Sequence, residues 1–162
     1  MGVAGTGKST VATVLAERLG WTFAEGDDFH SEANVTKMSA GVPLTDADRW
    51  PWLDAIVAWT AEQDQAGRDT VVTCSALRRI YRDRLRTAPG MTVFVHLTGD
   101  PELLSQRMQA RQRHFMPASL LSSQLATLEP LQPDEPGMVV DVGAAVEDVV
   151  ARAIQALEPN PH

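Results

Sequence analysis

The chain has 162 residues, 44% of them apolar and 22% charged, which is enough to bury one core and too few for two full domains, so residues 1–162 read as a single domain. A net charge of -7 argues against a protein that lives on nucleic acid, whose partner must be met by gathered Lys and Arg. Cys74 is the only cysteine, which excludes an intrachain disulfide, and no run approaches the roughly 18 apolar residues of a membrane span; a soluble protein of a reducing cytoplasm, bound to no membrane, is expected.

In chain order, Gly2-Val3-Ala4-Gly5-Thr6-Gly7-Lys8-Ser9 matches the phosphate-binding pattern G-x-x-x-x-G-K-[ST] and runs straight into a helix over 8–19, with Val11, Val14, Leu15 and Leu19 on one stripe and Gly20 as its stop. Glycines let the backbone turn its N–H groups toward a phosphate and the helix N-terminus adds positive potential. Lys8 can then reach the β- and γ-phosphates of ATP, Ser9 can ligate Mg2+, and Gly2, Gly5, Thr6, Gly7 and Thr10 complete the nucleotide cradle. Such a loop normally hangs from a buried central strand, yet only Met1 precedes Gly2. The first strand is therefore expected to be absent from this sequence, with the native start upstream, because a central gap would leave backbone groups unpaired on both neighbouring strands.

Residues 21–24 read as a short strand, 48–65 as a helix that tolerates Pro51 only in its first turn, and 70–74 as a buried β-branched strand. A basic helix over 76–86 follows, then the strand 91–97 with its Val93-Phe94-Val95 run, helices over 102–111 (capped by Asp100) and 120–128, a strand over 138–142 and a helix over 146–157. Strands separated by helices imply an α/β three-layer fold, a parallel sheet covered on both faces.

Strand 70–74 ends in Cys74-Ser75, without the acidic residue that commonly helps hold magnesium. The ion is left with Ser9, phosphate oxygens, water and a carboxylate from the stretch 25–28. Asp27 follows the strand 21–24 directly. The C-terminal end of a parallel strand is where such sheets hold ligands, so Asp27 is the expected base for an acceptor hydroxyl, with Glu25 or Asp28 assisting at magnesium or at the acceptor.

Beyond the phosphate loop, most of the chain resembles the gluconokinase family, a branch of the nucleoside-monophosphate-kinase-like fold related to shikimate kinase. The resemblance is carried by Glu25-Gly26-Asp27-Asp28-Phe29-His30, Asn34, Lys37-Met38, Pro43-Leu44, Asp46, Asp48-Arg49 and Pro51-Trp52-Leu53. It continues through Cys74-Ser75-Ala76-Leu77-Arg78, Tyr81-Arg82-Asp83, His114-Phe115-Met116-Pro117, Leu120-Leu121 and Ser123-Gln124. It implies transfer of a phosphoryl group from ATP to D-gluconate, giving 6-phosphogluconate, by a catalytic set of Lys8, Asp27 and Arg111, and it implies a homodimer.

Arg49 matches the family's substrate-side arginine, and planar guanidinium groups suit a carboxylate. Ser75, Arg78 and Arg82 are expected beside it, and His30 either at an acceptor hydroxyl or as a structural histidine. Residues 107–124 resemble the lid of the fold, with Arg111 over the γ-phosphate and His114 at the tip. Asp141 falls in the region where related kinases hold adenine. The alternatives are a sibling kinase acting on another hydroxy or sugar acid, and a nucleotide-binding protein with impaired catalysis.

Overall fold

Helix and strand alternate through the computed structural model, which describes residues 1–111 and 118–158: α1 (Lys8–Leu19), β1 (Thr22–Glu25), a 3-10 turn (Gly26–Phe29), α2 (Glu32–Ser39), α3 (Asp46–Gln65), β2 (Thr70–Thr73), α4 (Arg79–Leu85), β3 (Phe94–Thr98), α5 (Pro101–Ala110), α6 (Ala118–Thr127), β4 (Gly137–Asp141) and α7 (Val146–Leu157). Strands pair in parallel, β1 with β2 from Thr22–Thr70 to Glu25–Thr73, and β3 with β4 from Phe94–Gly137 to Thr98–Asp141.

Among the described residues the strands form two separate pairs. β2 and β3 do not pair with each other, and the cavity of 390 Å³ beside them is lined by Val71, Thr73, Val93 and Val95 among others. Met1 and Gly2 bridge its upper end. The Met1 amino nitrogen donates to Val95 O at 2.6 Å, Met1 O accepts from Leu97 N at 2.9 Å, and Gly2 N donates to Ser75 O at 3.2 Å. One core cluster joins α1, β3, β4, α5 and α7 through Val11, Leu15, Leu97, Leu104, Val140 and Val150; another packs α3 on α4 and β3 through Leu53, Ile56, Tyr81, Leu85 and Phe94. Among the described residues no helix is long and apolar enough to cross a membrane.

Two boundaries differ from the sequence reading for identifiable reasons. α3 begins at Asp46 because Thr45 and Asp48 form a reciprocal capping box, so Pro51 lies in the second turn and not the first. The basic helix starts only at Arg79. Ala76, at φ 45°, is in the left-handed region that interrupts a helix. α2 was not anticipated; it is capped by the Ser31 side chain, which accepts from Asn34 N at 3.2 Å.

Arg82, expected in the acceptor pocket, is instead a core residue. It is fully buried: Nε and Nη2 hold both Glu135 oxygens at 2.6 and 3.0 Å, Nη1 donates to the carbonyls of Ala76, Leu77 and Glu129, and Nη2 also to that of Pro130. A guanidinium suits this place because its rigid fork satisfies the carboxylate and several carbonyls at once. Glu135→Ala would leave the cation buried and unpaired, and a loss of about 3–5 kcal/mol is expected in denaturant unfolding.

His96 on β3 is buried with neither ring nitrogen hydrogen-bonded among the described residues. Burial is the main cause that lowers its pKa from 6.5 to about 4, and the Arg82 guanidinium acts in the same direction. The unfolded chain therefore takes up the proton first, and the stability His96 contributes is present above pH 6.5 and lost as pH falls toward 4. His96→Leu is expected to flatten that part of the pH dependence, read from urea midpoints at pH 7 and pH 5.

Candidate active site

The phosphate loop is shaped by its own side chains. Thr6, buried, donates through Oγ1 to Val3 O at 2.9 Å and fastens the loop across its base. Gly7, at φ 81°, enters α1 as an N-cap with no side-chain cap, so the first-turn amides, those of Ser9 and Thr10 among them, are left for an anion. A Cβ at Gly2 would stand 2.5 Å from Leu97 O, so only glycine lets the loop pass that close to β3.

Lys8 Nζ donates to Val3 O at 3.1 Å. Its pKa is lowered by burial, against the opposing pull of Asp27, Cys74 and Glu25, and Arg111 lowers it further. Lys8, Asp27, Glu25 and Arg111 thus lie within electrostatic reach of one another. Ala4 N donates to Gln124 Oε1 of α6 at 2.7 Å, joining the loop to the helix that closes the expected lid segment.

β1 delivers the acidic stretch. Glu25 Oε2 accepts from Ser9 Oγ at 2.7 Å, and its other oxygen accepts a short hydrogen bond from Thr73 Oγ1 of β2. Gly26 lies flat against β2: its N–H donates to Thr73 Oγ1 at 3.0 Å, its carbonyl accepts from Trp52 Nε1 at 2.8 Å, and a Cβ there would be 1.8 Å from Thr73 O. This close seat turns the chain into the 3-10 helix and leaves Asp27 and Asp28 exposed beyond the sheet edge.

His30 is packed as a structural histidine with one edge toward Asp27. Its ring stacks on Trp52, centroids 4.2 Å apart, and Nε2 stands 4.0 Å from Asp27 Oδ1. Asn34 Nδ2 donates to Asp48 O at 2.9 Å and lies 3.3 Å from His30 Nδ1; with Nδ1 accepting that amide, Nε2 carries the proton and faces Asp27. Burial lowers the His30 pKa, with Arg49 acting the same way and Asp27 opposing, which favours the neutral ring. Asp48 also pairs with Lys37 through both oxygens, at 2.9 and 2.8 Å, and so ties α2 to α3.

Arg49 and Arg78 meet around Tyr81. Their guanidinium carbons lie 5.4 and 5.7 Å from the ring centroid, and Arg78 Nη1 donates to Asp46 Oδ2 at 3.0 Å. Ser75 sits next to the loop, its carbonyl on Gly2 N. Asp141, exposed at the end of β4, accepts from Gly143 N at 2.7 Å. Arg111 is exposed at the end of α5, while His114 lies outside the described residues. Cys74 is buried with its thiol pushed up to about 11, as suits a packing residue and not a nucleophile.

Sequence reasoning gave Asp46, Tyr81, Gln124 and Thr73 no role at the site. The first three fall within the family blocks, whereas Thr73 carries no sequence signal beyond its place at the end of a β-branched strand.

The chain as a whole is similar to known proteins. Residues 1–131 fit the model of a family described as an AAA domain. The chain is 57% identical over 150 residues to the gluconokinase of Gluconobacter oxydans, covering 93% of this chain and 84% of that one. The chain belongs to the gluconokinase family. A gluconokinase crystal structure from Sinorhizobium meliloti superimposes with TM-score 0.87 at 47% identity, covering 97% of this chain and 88% of that chain. An unliganded sugar kinase from Janibacter sp. gives 0.92 at 51%, covering 97% and 91%.

Membership of a gluconokinase family makes the Gly26 seat a sharp test. Gly26→Ala is expected to push the turn bearing Asp27 off β2, lowering both the thermal midpoint and phosphoryl-transfer turnover; a variant that kept both would mean that the turn does not depend on this contact.

Proposed function

We propose that the chain phosphorylates D-gluconate from ATP, giving ADP and 6-phosphogluconate. The observation that supports this most directly is the juxtaposition at the end of β1: Glu25 on Ser9 of the phosphate loop, and Asp27 within electrostatic reach of Lys8. Asp27 orients the terminal hydroxyl and takes its proton as the oxygen attacks the γ-phosphorus and the bond to the β–γ bridging oxygen breaks. Loop amides and Lys8 hold the phosphates, and Arg111 meets the charge on the transferring group when residues 107–124 close as a lid. Arg49 and Arg78 face the gluconate carboxylate, His30 and Ser75 its hydroxyls, with His114 reaching in from the lid; Asp141 borders the adenine.

Magnesium fits this donor set because Ser9 Oγ and the Glu25 carboxylate are adjacent hard oxygens. When bound, the ion neutralises charge on the β- and γ-oxygens. No group of three or more His, Cys, Asp or Glu that could hold a metal exists among the described residues, which leaves its remaining positions to phosphate and water.

An ADP-release assay across a panel of acids and nucleotides is expected to rank gluconate first, and gluconate falling below shikimate or a nucleotide would reject this substrate. Asp27→Asn is expected to lower kcat by about 10²-fold or more with its fold intact, and Lys8→Ala to abolish turnover. Glu25→Gln should raise the magnesium concentration needed for half-maximal nucleotide binding, measured by calorimetry; an unchanged requirement would remove Glu25 from the ion.

A further inference from the structure

Between α3 and α4, two arginines gather around a buried phenol, that of Tyr81. Tyr81, on α4, has its hydroxyl between two charged groups: it donates to Asp46 Oδ1 at 2.5 Å and accepts from Arg49 Nη1 at 3.3 Å. Asp46, at the first position of α3, holds Arg78 Nη1 with its other oxygen, and Trp50 meets the Tyr81 ring edge-on at 5.9 Å. Arg49 Nη1 is further engaged by Leu44 O at 2.7 Å.

Both fixed bonds of Arg49 are therefore on one nitrogen. Its Nε and Nη2 make no hydrogen bond among the described residues, and that edge is the side of a guanidinium able to take a carboxylate by two parallel bonds. Arg78 is held likewise through Nη1, with Nε 3.6 Å from Glu129 and Nη2 without a hydrogen bond among the described residues. Both side chains remain partly exposed, 28% for Arg49 and 36% for Arg78, so an incoming anion can reach them.

We propose that Tyr81, through Asp46, is a positioning residue for acceptor selection: it holds Arg49 and Arg78 side by side with the Nε–Nη2 edge of Arg49 uncommitted, and so makes the site prefer an acceptor carrying a carboxylate over a neutral polyol. This rests on gluconate being the acceptor. Without the hydroxyl, Asp46 loses one of its two donors and Arg49 one of its two anchors, and each cation swings over a wider arc. The cost falls on ground-state capture of the acid, since neither arginine touches the transferring phosphoryl group in this arrangement.

Tyr81→Phe keeps the ring, its packing and both cation–π contacts, and removes the hydroxyl alone. Its gluconate KM is expected to rise about tenfold, the size of one hydrogen bond to a charged group, with kcat and the KM for ATP changed by less than about twofold. The ratio of kcat/KM for gluconate to that for D-sorbitol, the same carbon chain without the acid, should fall by a similar factor. Asp46→Asn, at a partly exposed helix start, is expected to shift the same two readouts even if burial makes the Tyr81 variant unstable.

An unchanged gluconate-to-sorbitol ratio in both variants, or a loss confined to kcat, would overturn the proposal while leaving gluconate as the substrate. Wild-type protein inert toward gluconate would overturn the functional reading and this proposal together.

Discussion

The Glu25 carboxylate, set between Ser9 of the phosphate loop and Thr73 of β2, is the interaction on which the rest of the site depends. It joins the nucleotide side of the molecule to the sheet, and the residue after it lies so close to β2 that only glycine fits. From that seat the chain turns and presents Asp27, so the distance between the phosphate loop and the start of this acidic turn is set by backbone packing and not by a flexible side chain. Trp52 adds a second clamp by donating to the Gly26 carbonyl while its indole supports His30. Positioning of this kind matters because phosphoryl transfer asks the protein for alignment and charge more than for covalent chemistry.

Charge is distributed unevenly over this frame. Lys8 sits where burial weakens its hold on a proton and Asp27 strengthens it, so the phosphate loop and the acidic turn after β1 are electrically linked. Farther along, Asp46 and Tyr81 gather two arginines, while Lys37 and Asp48 pin α2 against α3. The acidic overall charge of the chain is therefore compatible with a local basic pocket, as counterions at the pocket are supplied by specific carboxylates and leave part of each guanidinium uncommitted.

The phosphate loop, α1 and α7 were legible from local pattern, because a glycine-rich turn into an amphipathic stripe is decided by neighbours in sequence. Asp27 drew attention through its position directly after a strand and the family block around it. The arginines were harder. Arg78 and Arg82 are four residues apart in a run of basic side chains, and nothing local separates one near the pocket from one sealed in the core; that depends on Glu135, 53 positions away. Thr73 escaped notice for a related reason, since its partners are Glu25 at the end of β1 and Gly26 in the 3-10 turn after it, 47 to 48 positions away. α2 was missed because its start is marked by a single serine cap and its exposed face shows no strong apolar stripe.

The sealed arginine also divides the molecule for anyone wishing to alter what it accepts. Arg82 grips the carbonyls of Ala76 and Leu77 on one side and of Glu129 and Pro130 on the other, so it fastens the turn before α4 to the segment after α6. A lysine there, with three donors on a point charge, could not span the same set of acceptors. Arg49 and Arg78 carry far fewer such obligations and stand partly open to water. Those two positions can thus be varied by library screening at little cost to the fold, while the guanidinium four residues beyond Arg78 is best held constant as part of the scaffold.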